Sequence, residues 1–151
     1  MKPIRNSAKA IIVKDNRLLL TKNRDQQGFF YLFPGGGQEK EEELRAAVAR
    51  ECMEEIGCEV EVGDISYIRE YIGKNHEFAE WDSDIHQVEF YFECRIKDGG
   101  SDFQGTNPDE HQVGVEWIDL ERLTRLRIYP RKLAERILNK RHEPRYIGDS
   151  D

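Results

Sequence analysis

The chain has 151 residues, 38% of them hydrophobic and 35% charged, with a formal net charge of −7. That length bounds a single core, so residues 1–142 are expected to form one domain and the polar stretch 143–151 a tail. The acidic balance excludes a general nucleic-acid binder, which needs a basic excess, but not a small polyphosphate met through a divalent cation.

From Ser7 to Thr21 two short apolar runs, AKAIIV and LLLT, flank KDNR, which predicts a β-hairpin with Asp15 and Asn16 at the bend. The first run is too short for a signal peptide or a membrane span. Residues 23–28 are polar and read as a loop. FFYLF then reads as an extended aromatic segment whose side chains serve the core before they serve base stacking. Pro34 bars a helix ahead of the glycines, so PGGG is read as a turn. An amphipathic helix follows, with Leu44, Ala47, Val48, Cys52 and Ile56 at three- and four-residue spacing and Gly57 placed to end it. Cys52, Cys58 and Cys94 form no C-x-x-C pair, so neither a disulfide framework nor a zinc knuckle is indicated, and a reducing cytoplasm is the expected setting.

Beyond the helix, residues 59–72 read as one or two strands, residues 74–85 as an irregular loop, and HQVEFYFECRI as a clear strand. KDGGSDFQGTNPDE is turn chemistry throughout, a flexible loop. VGVEWIDL is a further strand with Asp119 as the cap of a following helix, and residues 130–141 a last helix with Pro130 at its start. Strands, a helix, strands and a helix predict a mixed sheet covered by helices on its faces, an α/β class. No phosphate-cradling G-x-x-x-x-G-K-[ST] loop occurs.

The acids of the first helix break its pattern. Glu51 and Glu55 project inside the stripe that faces the core, and Glu54 lies on its border. The three are mutual neighbours at i, i+3 and i+4, they crowd the end of the helix where the macrodipole prefers cations, and Arg50 is expected to neutralise only one. A solvated acidic face would not share the apolar stripe, so a divalent cation is the better answer. Carboxylate oxygens select Mg²⁺, Mn²⁺ or Ca²⁺ over zinc, and the EF-hand spacing is absent.

Gly36, Glu42, Arg50-Glu51, Glu54-Glu55 and Gly57 stand at every fixed position of a known pattern, G-x5-E-x7-R-E-U-x-E-E-x-G-U. The stretch therefore resembles the Nudix box, with Cys52 and Cys58 at its two bulky apolar sites. The resemblance implies an α/β/α sandwich with a mixed β-sheet between helices. It also implies hydrolysis of a nucleoside diphosphate linked to another group, by water attack at phosphorus with Mg²⁺ or Mn²⁺. By the same resemblance Glu51, Glu54, Glu55 and the Gly36 carbonyl would hold metal, Arg50 would hold a carboxylate, and Glu42 would be its partner. The general base would be Glu51 or an acid of a later loop, for which Glu110 is the candidate.

Arg69 and Arg5 are candidate phosphate contacts, set against plain surface charge. His76, His86 and His111 read as ordinary loop or strand-edge residues. Arg122, Arg125, Arg127, Arg131, Lys132 and Arg136 form a basic cluster that a solvated helix face explains, with a homodimer contact or a weak RNA contact left open. The expected partner is a small nucleotide, with neither membrane nor specific nucleic acid. The alternative reading is a nucleotide-sensing domain without turnover; such domains resembling this family usually lose box residues, and every charged one is present here.

Overall fold

The computed structural model describes residues 2–97 and 111–151. Strand β1 (Arg5–Ile11) leads into the hairpin of β2 (Val13–Lys14) and β3 (Arg17–Asp25). Asp15 and Asn16 both hold the left-handed backbone, φ 51° and 64°, that a two-residue hairpin turn demands. FFYLF supplies β4 (Gly28–Leu32), antiparallel to β3. The glycine stretch is not a turn: Gly35–Gly37 form β5, antiparallel to β1 with Ser7 opposite Gly37 and Ala8 opposite Gly36.

Helix α1 (Leu44–Ile56) buries Ala47, Val48, Cys52 and Ile56, the periodic face, and Gly57 closes it in the left-handed conformation with its N–H on the Met53 carbonyl. Residues 59–72 give one long strand, β6 (Val60–Ile72), whose register with its neighbour shifts on either side of Ile65. These irregularities account for apolar residues alternating on different faces along its length. A 3₁₀ turn (Gly73–Asn75) and the short α2 (Ala79–Asp82) fill the next connection, before β7 (His86–Ile96). The loop read in KDGGSDFQGTNPDE lies, apart from its first residue, outside the described residues. β8 (Gln112–Asp119) is followed by a 3₁₀ stretch (Leu120–Arg125), β9 (Ile128–Tyr129), α3 (Arg131–Leu138) and β10 (Tyr146–Asp149). Asp119 does not cap with its side chain; a 3₁₀ stretch rather than an α-helix follows, and the carboxylate sits 3.3 Å from Arg17 instead.

Two five-stranded sheets form where one was expected. The first runs β10-β6-β7-β1-β5 and is mixed, with β10–β6 and β7–β1 parallel and β6–β7 and β1–β5 antiparallel. The second runs β2-β3-β4-β9, with β8 also paired to β3. Successive residues go to opposite sides of the strands. Ala10, Leu19 and Phe92 join the cluster under α1, whereas Ile11, Leu18, Leu20 and Tyr91 join the cluster that receives Leu133 and Ala134 of α3. Strands buried on both faces read as unbroken apolar runs, which is why AKAIIV and LLL lack alternation. The result is the α/β/α layering expected.

The stretch 143–151 is not a loose tail beyond the domain. Its β10 lies parallel to β6, Gly148 opposite Arg69 and Asp149 opposite Glu70, and Ser150 is buried. Its attachment is mostly through backbone and polar groups, so its sequence carries little apolar signal; Ile147 alone packs on the core. Among the described residues no helix is long and apolar enough to cross a membrane.

Leu133 is fully buried and anchors α3. Leu133→Ala should lower the free energy of unfolding by about 2–5 kcal/mol, read from urea denaturation. An unchanged midpoint would contradict the packing described.

Candidate active site

The box helix and the glycine strand are built against each other. α1 turns Glu51 over β5 so closely that a Cβ on Gly36 would lie 2.6 Å from the Glu51 carboxyl carbon and 2.7 Å from each oxygen. No other residue type fits there without moving the carboxylate. Glu55, 4% exposed, accepts the Gly35 N–H at 2.9 Å. Burial pushes the Glu51 carboxyl above the usual range for a glutamate, while Arg50 and Lys9 act against the shift.

Arg50 reaches much further than one partner. Its fork grips Glu42 with Nε–Oε2 2.8 Å and Nη2–Oε1 3.0 Å, Nη2 also donates to the Gly37 carbonyl at 3.0 Å, and Nη1 lies 3.1 Å from Glu51 and 3.3 Å from Glu54. The planar guanidinium has five N–H donors, which a count of charges alone does not register. The bond from Arg50, and the Glu39 N–H, hold the Glu42 carboxyl below its ordinary range. Glu42 raises Arg50 in turn, above the already high arginine value.

Among the described residues no three acidic, histidine or cysteine side chains converge closely enough to cage an ion. Glu51 and Glu54 instead share Nη1 of Arg50. The donors present are oxygen-only, the set a hard divalent cation takes, and the missing side chain of Gly36 is what lets the Glu51 carboxylate lie against the glycine strand. By donor chemistry the residues fit Mg²⁺ or Mn²⁺.

A cleft of about 370 Å³ opens elsewhere, lined among others by Arg69, Tyr71, Phe78, Trp81, Arg127 and Tyr129. Arg69 is buried, not surface charge: Nη1 meets Glu89 at 2.6 Å, Nε donates to the Ser150 carbonyl at 2.8 Å, and the guanidinium lies over the Tyr71 ring. Burial opposes ionisation of Glu89, yet Arg69, Lys9 and the Tyr91 hydroxyl hold its pKa below the usual value. Arg127 forms a fork with Asp25 at 2.6 and 2.9 Å, so this member of the basic cluster belongs to the cleft and not to a solvated helix face.

Cleft and box share one row of the sheet. Gly148, Arg69, Glu89, Ser7 and Gly37 stand opposite one another on β10, β6, β7, β1 and β5. At about 4.8 Å per strand, Arg69 is roughly 14 Å from Gly37 along that row.

The structure thus brings Gly36, Glu42, Arg50, Glu51, Glu54 and Glu55 together. It sets Arg5 there too, exposed and with its guanidinium against Gly37, and places Arg69 in the cleft. Glu110 lies outside the described residues. His76 pairs with Asp149 at 2.7 Å and His86 with Glu70 at 2.9 Å, while His111 lines the cleft. Lys9, Glu89, Asp149 and Trp81 escape the sequence reading. A charge inside the strand runs AKAIIV and VEFYF was the available signal for the first two.

A family model described as the NUDIX domain matches residues 3–137. The chain belongs to the Nudix family of hydrolases. This Nudix chain is 30% identical over 119 residues to nucleoside diphosphate-linked moiety X motif 6 of Xenopus laevis, a match covering 77% of this chain and 50% of that protein. It therefore spans about half the length of that curated relative. It is 29% identical over 135 residues to an RNA pyrophosphohydrolase of Pelagibacter ubique (strain HTCC1062), covering 82% of each. Its fold is that of a NUDIX hydrolase from Nitrosomonas europaea, with a TM-score of 0.72, 18% identity, and 95% and 93% of the two chains covered.

The bond from Arg127 depresses the Asp25 pKa, with burial opposing. A depressed carboxylate contributes stability above its unfolded pKa, about 3.9, and loses it as pH falls through the folded value. Asp25→Asn should therefore melt below the wild type at neutral pH, and the gap should close as the pH falls below about 4. Thermal melts across that range check it; a gap independent of pH would contradict the ion pair.

Proposed function

We propose that this chain hydrolyses a pyrophosphate bond in a nucleoside diphosphate linked to a further group, by water attack at phosphorus. The substrate class takes in nucleoside triphosphates, nucleotide sugars, ADP-ribose and dinucleoside polyphosphates. Glu51, Glu54, Glu55 and the Gly36 carbonyl would hold Mg²⁺ or Mn²⁺. Once bound, such a cation polarises phosphoryl oxygens and lowers the pKa of water.

The remaining roles fall to the protein's own groups. Arg50 fixes Glu42 and the Gly37 carbonyl with one fork, and so holds the glycine strand against the helix at a set distance. Glu51, seated against Gly36 at the centre of the box, is one candidate proton acceptor. Glu110 is the second candidate. Arg5, exposed beside Gly37, would meet a substrate phosphate. Arg69 is already neutralised by Glu89, so it serves as part of the cleft that receives the non-phosphate moiety, not as a phosphate ligand.

The observation that carries this reading is the close seating of Glu51 on Gly36 within the fork of Arg50. Mutation of an outer partner of a metal ligand commonly costs 10–100-fold, so Glu54→Gln, a change at a direct ligand, should cut turnover by at least about a hundredfold. Circular dichroism and melting temperature should be retained. Chelation with EDTA should abolish wild-type activity and Mg²⁺ should restore it. Full activity of the variant would sink the assignment.

A further inference from the structure

We propose that Asp149 is a positioning residue: it clasps residues 72–82 as one wall of the cleft and thereby sets the affinity for the planar organic group of a nucleotide. The inference rests on the reading of the cleft as the seat of the non-phosphate moiety.

Asp149 lies on β10 and reaches three points of the neighbouring segment. Its Oδ1 accepts the Ile72 N–H at 2.8 Å and lies 2.7 Å from Nε2 of His76, and its Oδ2 accepts from the Asn75 side chain at 2.9 Å. The His76 ring is in turn stacked on Tyr71, centroids 5.4 Å apart and planes 15° from parallel. Burial opposes the Asp149 charge, and the Asn75, His76 and Ile72 bonds together outweigh that cost.

The clasped segment is a closed unit. The Gly73 N–H donates to the Ile85 carbonyl at 2.9 Å, the Tyr71 hydroxyl donates to Asp82 at 2.7 Å, and any Cβ on Gly73 would collide with the Asp82 carbonyl. Glu77 accepts the Tyr129 hydroxyl at 2.8 Å. These bonds tie the segment together, and Asp149 joins its base to the edge strand of the sheet.

What the wall presents is aromatic. Trp81 lines the cleft yet is 77% exposed, with Phe78 beside it and Tyr129 edge-on to Phe78. The cations of the cleft are spoken for, Arg69 by Glu89 and Arg127 by Asp25. A site of aromatic faces whose arginines are already paired suits a planar, weakly charged ring, whose stacking would cover the indole.

The test is binding of the four ribonucleoside 5′-monophosphates to the full chain in EDTA, followed by tryptophan fluorescence and by hydrogen–deuterium exchange. Trp81→Phe assigns the signal, since the chain has two tryptophans. We expect at least one monophosphate to perturb the Trp81 emission. Asp149→Ala should weaken its Kd by threefold or more and speed exchange across residues 72–82 while leaving residues 44–56 protected. Asp149→Asn should recover part of the affinity, because its carbonyl oxygen still accepts the Ile72 N–H. Silence of Trp81 toward all four, or a Kd within threefold of wild type in Asp149→Ala, would overturn the proposal. Neither metal nor turnover enters this readout, so its failure is separable from failure of the box chemistry.

Discussion

Most of the box is held by one guanidinium. Four carboxylates, Glu39, Glu42, Glu51 and Glu54, lie within ion-pair distance of Arg50. Without a cation at that point, Glu51 and Glu54 would be left repelling each other across one helical turn, with Glu51 partly desolvated. The same side chain donates to the Gly37 carbonyl, so it holds the glycine strand to the helix while it screens the acids. That double duty needs the flat, five-donor fork; a lysine ammonium could meet the charge but not the geometry. Glu55 is secured separately, by the Gly35 N–H.

The sheet carries this constraint outward. β5 owes its position to β1, β1 pairs with β7, and β7 with β6, so the row from Gly37 through Glu89 to Arg69 is a rigid spacer between the acids and the cleft. Lys9 reinforces it electrostatically, since its charge favours ionisation of both Glu51 and Glu89. Polar groups buried in such a row are tolerated because each is paired, and the pairing fixes side chains that an apolar core would leave free to repack. A reaction that breaks one bond while holding a second group several ångströms away benefits from that rigidity.

Legibility in the sequence followed the range of the interactions. The hairpin at Asp15-Asn16, the limits of α1 at Leu44 and Gly57, and the strand HQVEFYFECRI rest on local backbone preference and short periodicity, and the structure has them where the pattern put them. The acids of α1 were visible because they violate a helical stripe. β5 was misread as a turn because glycine has no strand propensity, and its pairing to β1 spans about 28 residues of chain. β10 was missed for the same reason at greater separation: a parallel strand whose anchoring is backbone and Asp149 has no apolar alternation to show. The breadth of Arg50 and the inward charges of Lys9 and Glu89 are facts about side-chain reach and cross-strand neighbours, which one-dimensional spacing does not encode.

The central claim is that the acids gathered around Arg50 form a seat for a divalent cation. Crystals grown with Mn²⁺ and measured at a wavelength where manganese scatters anomalously test it most directly. The account predicts a difference peak within coordinating distance of the Glu51, Glu54 or Glu55 carboxylates. Absence of any peak there at saturating Mn²⁺, or a peak bound only elsewhere, would contradict it.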